Sequence, residues 1–171
     1  MTHDEHSEAR RATGRAAPSA TEPSSIVVAG LGSEHRHDDA VGLVVAAFLS
    51  ACFPDARDVG PIASPLDLLG LWDGARVAVV VDAVRSGAQA GTVHVVELSG
   101  LEGDGEVTST HGIGVSGALR IAEAIGRAPC RVVLIGIEGA RFDTGVGLSP
   151  AVASAVPGAV EMAAELLENG G

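Results

Sequence analysis

The sequence predicts a three-layer α/β fold: a mainly parallel sheet with one antiparallel strand and helices on both faces. Two observations carry this reading. Short apolar runs rich in β-branched residues, such as Ile26–Leu31 and Val77–Val81, read as strands buried on both faces. Segments with helical signals alternate with them along the chain, the pattern of strands joined by crossover helices. At 171 residues the chain fits one domain with a single sizeable core, expected over residues 26–171. With aromatics at 2%, that core must be built from Val, Ala, Leu and Ile.

Residues 1–25 are rich in Ala, Ser, Thr, Pro and charge and show no apolar periodicity, so a disordered tail is expected there. No hydrophobic run follows Arg10-Arg11, and Asp4, Glu5 and Glu8 argue against a transit peptide. Strand Ile26–Leu31 runs through a Gly-rich turn and a polar loop into Asp38-Asp39, either of which is placed to cap the helix that starts at Ala40. Phe53-Pro54 stops that helix. A short strand is expected at Arg57–Gly60. Ser64-Pro65 opens a brief helix through Trp72, with serine as the cap and proline in the first turn. Val77–Val81, ending in Asp82, is the second strong strand, and Thr92–Leu98 alternates as a strand at the sheet edge. Its connection is too short for a crossover, so it should run antiparallel to its predecessor. A loop at Ser99–Thr110, a helix from Ile113 to Arg127 and a strand at Arg131–Glu138 follow. A Gly-rich loop, Gly139–Gly147, leads to a last helix opened by Ser149-Pro150 and ended by Asn169-Gly170-Gly171.

Charge excludes one class of partner. All 11 basic residues are arginine, and the net charge is −11. The tail holds four acids and three arginines, so about −10 falls on the remainder. An acidic body disfavours nucleic acid, whose binding runs on phosphate neutralisation. No apolar stretch approaches the roughly 18 residues of a membrane span. Cys52 and Cys130 lack metal or redox spacing and read as buried free thiols. The cytoplasm is the expected compartment and a monomer the expected state.

Three ionisable residues fall at matching places. Asp39 is at the loop-to-helix junction after the first strand, Asp82 ends the strand Val77–Val81, and His111 precedes the helix at Ile113. Parallel strands would put the two acids on one sheet edge, and the helix start would bring the imidazole to them. Two carboxylates and an imidazole suit a divalent zinc, iron or nickel ion. The same trio would also position a water between a base and an acid. Each residue has a plainer role available: a cap for Asp39, a turn for Asp82, a helix start for His111.

Other constellations are weaker. His35-Arg36-His37 places two histidines two apart in a loop, His94 sits on a strand face as a structural residue, and His3 and His6 lie in the tail. Gly30-x-Gly32 lacks the third glycine of a dinucleotide fingerprint, where His35 stands. The phosphate-loop pattern is impossible without lysine. There is no Gly-x-Ser-x-Gly elbow and no histidine near either cysteine, so acyl chemistry lacks its parts.

From Ile26 to Leu167 the chain resembles the hydrogenase maturation proteases. The resemblance rests on an ordered set of blocks: Gly30-Leu31-Gly32 with Asp38-Asp39 and Gly42; Val81-Asp82-Ala83 with Ser86-Gly87 and Ala90-Gly91-Thr92-Val93; Thr110-His111-Gly112; Leu134–Glu138; and Gly147-Leu148-Ser149-Pro150. It implies a twisted sheet between helices. The implied activity is an endopeptidase that removes the C-terminal extension of a nickel–iron hydrogenase large subunit after nickel insertion. Asp39, Asp82 and His111 fall on the metal-contacting positions, the partner is the large-subunit precursor, and the nickel is carried by that substrate, with no permanent cofactor. Ser33 stands where family members usually have Asn, and the loop Glu34–His37 is more polar than theirs. Two further functions fit the same fold: a non-catalytic metal-recognition or assembly factor whose activity was lost through that loop, and a related peptidase with a different protein substrate.

Overall fold

The computed structural model describes residues 26–98 and 114–169. Their centre is a five-stranded sheet in the order β2-β1-β3-β5-β4. The strands are β1 (Ile26–Leu31), β2 (Arg57–Ile62), β3 (Val77–Val84), β4 (Val93–Leu98) and β5 (Arg131–Glu138). β1 pairs in parallel with both β2 and β3, and β3 pairs in parallel with β5. Only β4 is antiparallel, against β5 at the sheet edge. β4 therefore runs against its predecessor β3, as expected, but does not pair with it, because β5 is inserted between the two.

Alternation along the strands divides the core into two layers. Val28, Val79, Val81, Ile135 and Ile137 face helices α1 (Val41–Cys52) and α4 (Pro150–Asn169). Val27, Ala29, Ala78, Val80 and Leu134 face α2 (Leu68–Leu71) and α3 (Val115–Ala124). All eight residues of β3 are buried, which explains why its sequence is a continuous apolar run rather than an alternating one. In α4 the buried Val152, Val156, Ala159, Ala163 and Leu167 form one stripe at helical spacing.

Local signals act largely as the sequence predicts. Ser64 Oγ accepts the Leu66 N–H and Asp67 Oδ2 accepts the Ser64 N–H, a reciprocal cap with Pro65 in the first turn. The end of α3 is earlier than Arg127. Gly126 adopts φ +69°, its N–H donates to the Glu123 carbonyl, and the Arg127 N–H donates to the Ala122 carbonyl. That pair of bonds closes a helix and cannot continue one. Strand β3 runs three residues beyond Val81, so Asp82 lies inside a strand rather than at its end. Cys52 and Cys130 are free thiols but exposed, not buried: one ends α1 on its outer side and the other precedes β5. No helix among the described residues is long and apolar enough to cross a membrane.

A Val79→Asp substitution tests the two-faced burial of β3. Val79 has no exposed surface, and a charge there has no partner, which costs roughly 3–5 kcal/mol. The variant should lose its cooperative thermal transition by circular dichroism; a melt within a few degrees of wild type would refute the two-faced burial.

Candidate active site

The order in which strands are added reverses between β1 and β3, since β2 lies to one side of β1 and β5 to the other side of β3. In open α/β sheets the crevice at such a switch point, outside the carboxyl ends of the strands, is where ligands bind. After β1 the chain makes a tight turn, His37–Ala40, which carries Asp38 and Asp39 to this edge. Asp82 reaches the same edge from β3, one residue beyond Val81, which is paired with Gly30 of β1.

The approach of the turn to the sheet is very close. A Cβ on Gly32, which has φ +126°, would lie 1.8 Å from the Asp39 carbonyl oxygen. A Cβ on Gly42 would lie 2.4 Å from the Leu31 carbonyl oxygen and 2.5 Å from that of Val81. Glycine is required at both positions, and this spacing holds Asp39 against the ends of β1 and β3.

Neither acid caps α1. Its N-cap is Ala40, which makes no side-chain bond, so the expected capping role is not the one these residues have. Asp38 is instead a clasp across the chain. It accepts the N–H groups of Ala140 (2.8 Å), Arg141 (2.8 Å) and Ser149 (2.6 Å) and the Ser149 hydroxyl (2.9 Å). Burial pushes its pKa up, but these donors outweigh burial and hold it below the usual carboxylate range. Glu138, also buried, does the same for the segment after β3. It accepts the N–H groups of Ser86 (2.9 and 3.0 Å) and Gly87 (3.0 Å) and the Ser86 hydroxyl (2.8 Å), and His94 Nε2 lies 3.7 Å away. Its pKa too is lowered, because those donors and the imidazole overcome burial. His94 is thus structural, as its strand position suggests.

Asp39 and Asp82 are buried without such partners. Both oxygens of Asp39 and Oδ1 of Asp82 accept no hydrogen bond. Burial, together with the charge of Asp39, raises the Asp82 pKa to about 7, against a lowering by the Ala83 N–H. Two buried carboxylates near enough to repel and short of donors are an unfavourable arrangement that a nearby positive charge would relieve. The structure brings Asp39 and Asp82 together in this way. His111 lies outside the described residues, and among the described residues no group of three or more His, Cys, Asp or Glu is arranged to hold a metal ion.

His35 and His37 do not form a metal site of their own. The His37 Nδ1–H donates to the Gly147 carbonyl at 3.1 Å, and Arg141 Nη2 donates to His37 Nε2 at 3.0 Å. This tautomer follows from the two partners. His37 has φ +49°, and Gly145 must be glycine because a Cβ would lie 2.0 Å from His37 Nε2. These contacts bind the loop after β1 to the loop after β5. The clasp roles of Asp38, Glu138 and Ser149 were not assigned from the sequence. Glu138 gives the available signal, an acid ending a buried apolar strand, whereas the donors for Asp38 lie about 100 residues away in the chain.

A doubly wound sheet with a buried, donor-poor acid pair at its switch point defines the class as an α/β protein with its candidate site at the carboxyl edge of the sheet. Comparison with known proteins then identifies the kind. The family model HycI, hydrogenase maturation protease, matches residues 62–166, more than half of the chain, and the chain belongs to the hydrogenase maturation protease family. Its role is that of a protease in hydrogenase maturation. Among solved structures, it is similar to a hydrogenase 2 maturation peptidase from a Thaumarchaeota archaeon at 28% identity, covering 83% of this chain and 97% of that one with a TM-score of 0.62. The nickel–iron hydrogenase maturation protease HybD of Thermococcus kodakarensis is 26% identical over 82% of this chain and 97% of its own, with a TM-score of 0.64. Escherichia coli HybD, a hydrogenase-maturating endopeptidase, shares the fold at 22% identity, 85% and 93% coverage and a TM-score of 0.68. No curated protein sequence matches the chain.

The raised pKa of Asp82 has a measurable consequence for stability. The unfolded carboxyl ionises near 3.8 and the folded one near 7. Between these values the folded state holds the extra proton, so stability falls as pH rises through the window and stays lowered above it. Asp82→Asn removes this penalty. Its unfolding free energy should match or slightly exceed wild type at pH 4.5 and exceed it clearly at pH 8, by on the order of 2–4 kcal/mol in denaturant melts. An equal offset at both pH values would show that Asp82 ionises normally.

Proposed function

We propose that the chain removes the C-terminal extension of a nickel–iron hydrogenase large subunit after nickel insertion, as a cytoplasmic monomer. The nickel carried by that substrate is recognised by Asp39, Asp82 and His111, and no resident cofactor is needed. The observation that supports this reading most is the buried pair Asp39 and Asp82, whose unpartnered oxygens repel one another at the sheet edge. A divalent ion reverses the sign of that interaction and displaces the proton that Asp82 holds below about pH 7. A requirement for ligands from separate elements ties recognition to a metal-loaded precursor, so an immature subunit is left uncut.

Hydrolysis adds water across the scissile amide: the water oxygen bonds to the carbonyl carbon, the C–N bond breaks and the leaving nitrogen takes a proton. The substrate's ion polarises the carbonyl as a Lewis acid. A carboxylate of the pair accepts the proton of the attacking water, a role that suits a pKa close to neutrality. The Ser33 hydroxyl, in the loop where the resemblance leads one to expect Asn, accepts the His35 N–H at 3.4 Å.

Incubation of nickel-loaded and nickel-free precursor with the purified protein, followed by mass measurement, tests the proposal. Only the loaded precursor should be shortened, and His111→Ala should lower its processing at least about 100-fold, the scale of losing one catalytic group, without changing the melt. Equal cleavage of both precursors would remove nickel recognition. Binding without shortening would instead identify a non-catalytic assembly factor.

A further inference from the structure

Among the described residues, one arginine lies against Asp39 of the acid pair. Arg36 Nη1 is 3.6 Å from Asp39 Oδ2, within ion-pair range but beyond a hydrogen bond. The two differ sharply in surroundings: the Asp39 side chain is 1% exposed, while that of Arg36 is 46% exposed. The guanidinium therefore reaches down from solvent over a carboxylate that solvent does not reach.

The Arg36 backbone is fixed independently of this contact. Its N–H donates to the Ser33 carbonyl at 3.2 Å, its carbonyl accepts the Asp39 N–H at 3.2 Å, and it forms an isolated parallel bridge with Gly145. With the backbone set, the i,i+3 spacing delivers the side chain over Asp39. Arg141 is employed elsewhere, since its Nη2 donates to Asp143 at 3.2 Å and to His37.

We infer that Arg36 is the built-in counter-ion of the acid pair, covering Asp39 in the free protein and leaving it only when a divalent cation takes its place. This rests on the reading of the pair as a cation receptor given above. A single long ion pair to a half-exposed guanidinium is weak and exchanges readily. Removing the guanidinium with nothing in its place is costly, because it strands a buried charge. A hydrated ion from solution must displace Arg36 and shed its water unaided. An ion already seated in a protein brings fewer waters and the binding energy of the surrounding interface. Arg36 thus discriminates against loose metal in favour of metal presented by a macromolecular substrate. No covalent bond changes; one ion pair is exchanged for coordination, and the guanidinium moves out to solvent.

The test is calorimetric titration of the full chain with Ni2+ alone at pH 7.5, comparing wild type, Arg36→Lys, Arg36→Gln and Arg36→Gln/Asp39→Asn. Arg36→Gln should bind Ni2+ at least tenfold tighter than wild type, Arg36→Lys should stay within threefold of wild type, and the double variant should lose the gain. Equal or weaker binding by Arg36→Gln, or a gain that survives Asp39→Asn, would overturn the inference. Metal-free melts give a second reading. Arg36→Gln should lower the melting temperature when residue 39 is Asp and leave it unchanged when residue 39 is Asn. The same loss in both backgrounds, unfolding included, would again overturn it. Failure of the wild type to shorten a nickel-loaded precursor would leave these results standing, and equal Ni2+ affinities would leave the protease reading standing.

Discussion

The packing of α1 onto the sheet at Gly42 is the contact from which the acidic edge follows. Here a helix backbone rests directly on two strand ends, with no side chain between it and the carbonyls of Leu31 and Val81. Gly30 meets the same helix turn from below, where a Cβ would lie 2.5 Å from the Gly42 carbonyl oxygen. Glycines on both sides let the first turn sit lower than any side chain would permit. The preceding turn is then drawn beneath the rim of the sheet, and Asp38 and Asp39 are buried rather than presented to solvent.

Four acids are buried among the described residues, and they divide by what their oxygens meet. Asp38 and Glu138 each receive several N–H and O–H donors and anchor loops to strand ends. Both oxygens of Asp39 and Oδ1 of Asp82 are left without donors, and Asp82 has only the Ala83 N–H. An unsatisfied buried polar group costs about 1–3 kcal/mol, so the second pair is a standing loss of stability. The first pair makes that loss tolerable by fixing the loops on either side, so the edge does not relax and admit water. Proteins accept such a local loss where it serves a site.

The alternation of apolar runs and helical signals made the class, the parallel sheet and the antiparallel edge strand legible in the sequence. Ser64-Pro65 announced its own cap. Features set by distant contacts were not legible. β5 enters between β3 and β4, a pairing between segments distant in the chain that no local signal announces. The Asp38-Asp39 doublet resembles a helix cap because capping is a local rule, whereas the donors for Asp38 belong to the loop before α4. Cys52 and Cys130 lie in or beside apolar elements, yet both are on outer faces, which residue type alone does not reveal. For the candidate site, Asp39 was singled out at the loop-to-helix junction after β1 and Asp82 at the end of an apolar run, and the structure buries both at one sheet edge, although β3 continues past Asp82. His111 lies outside the described residues. The part of Arg36 was hidden because an arginine in a polar loop ordinarily points into water.

The claim on which all of this depends is that Asp82 shares a dry, donor-poor edge with Asp39. Carboxyl carbon NMR of Asp82 across a pH titration measures it directly. A midpoint near 7 that falls when Asp39 is changed to Asn is the expected result. A midpoint near 4, unmoved by that change, would contradict it.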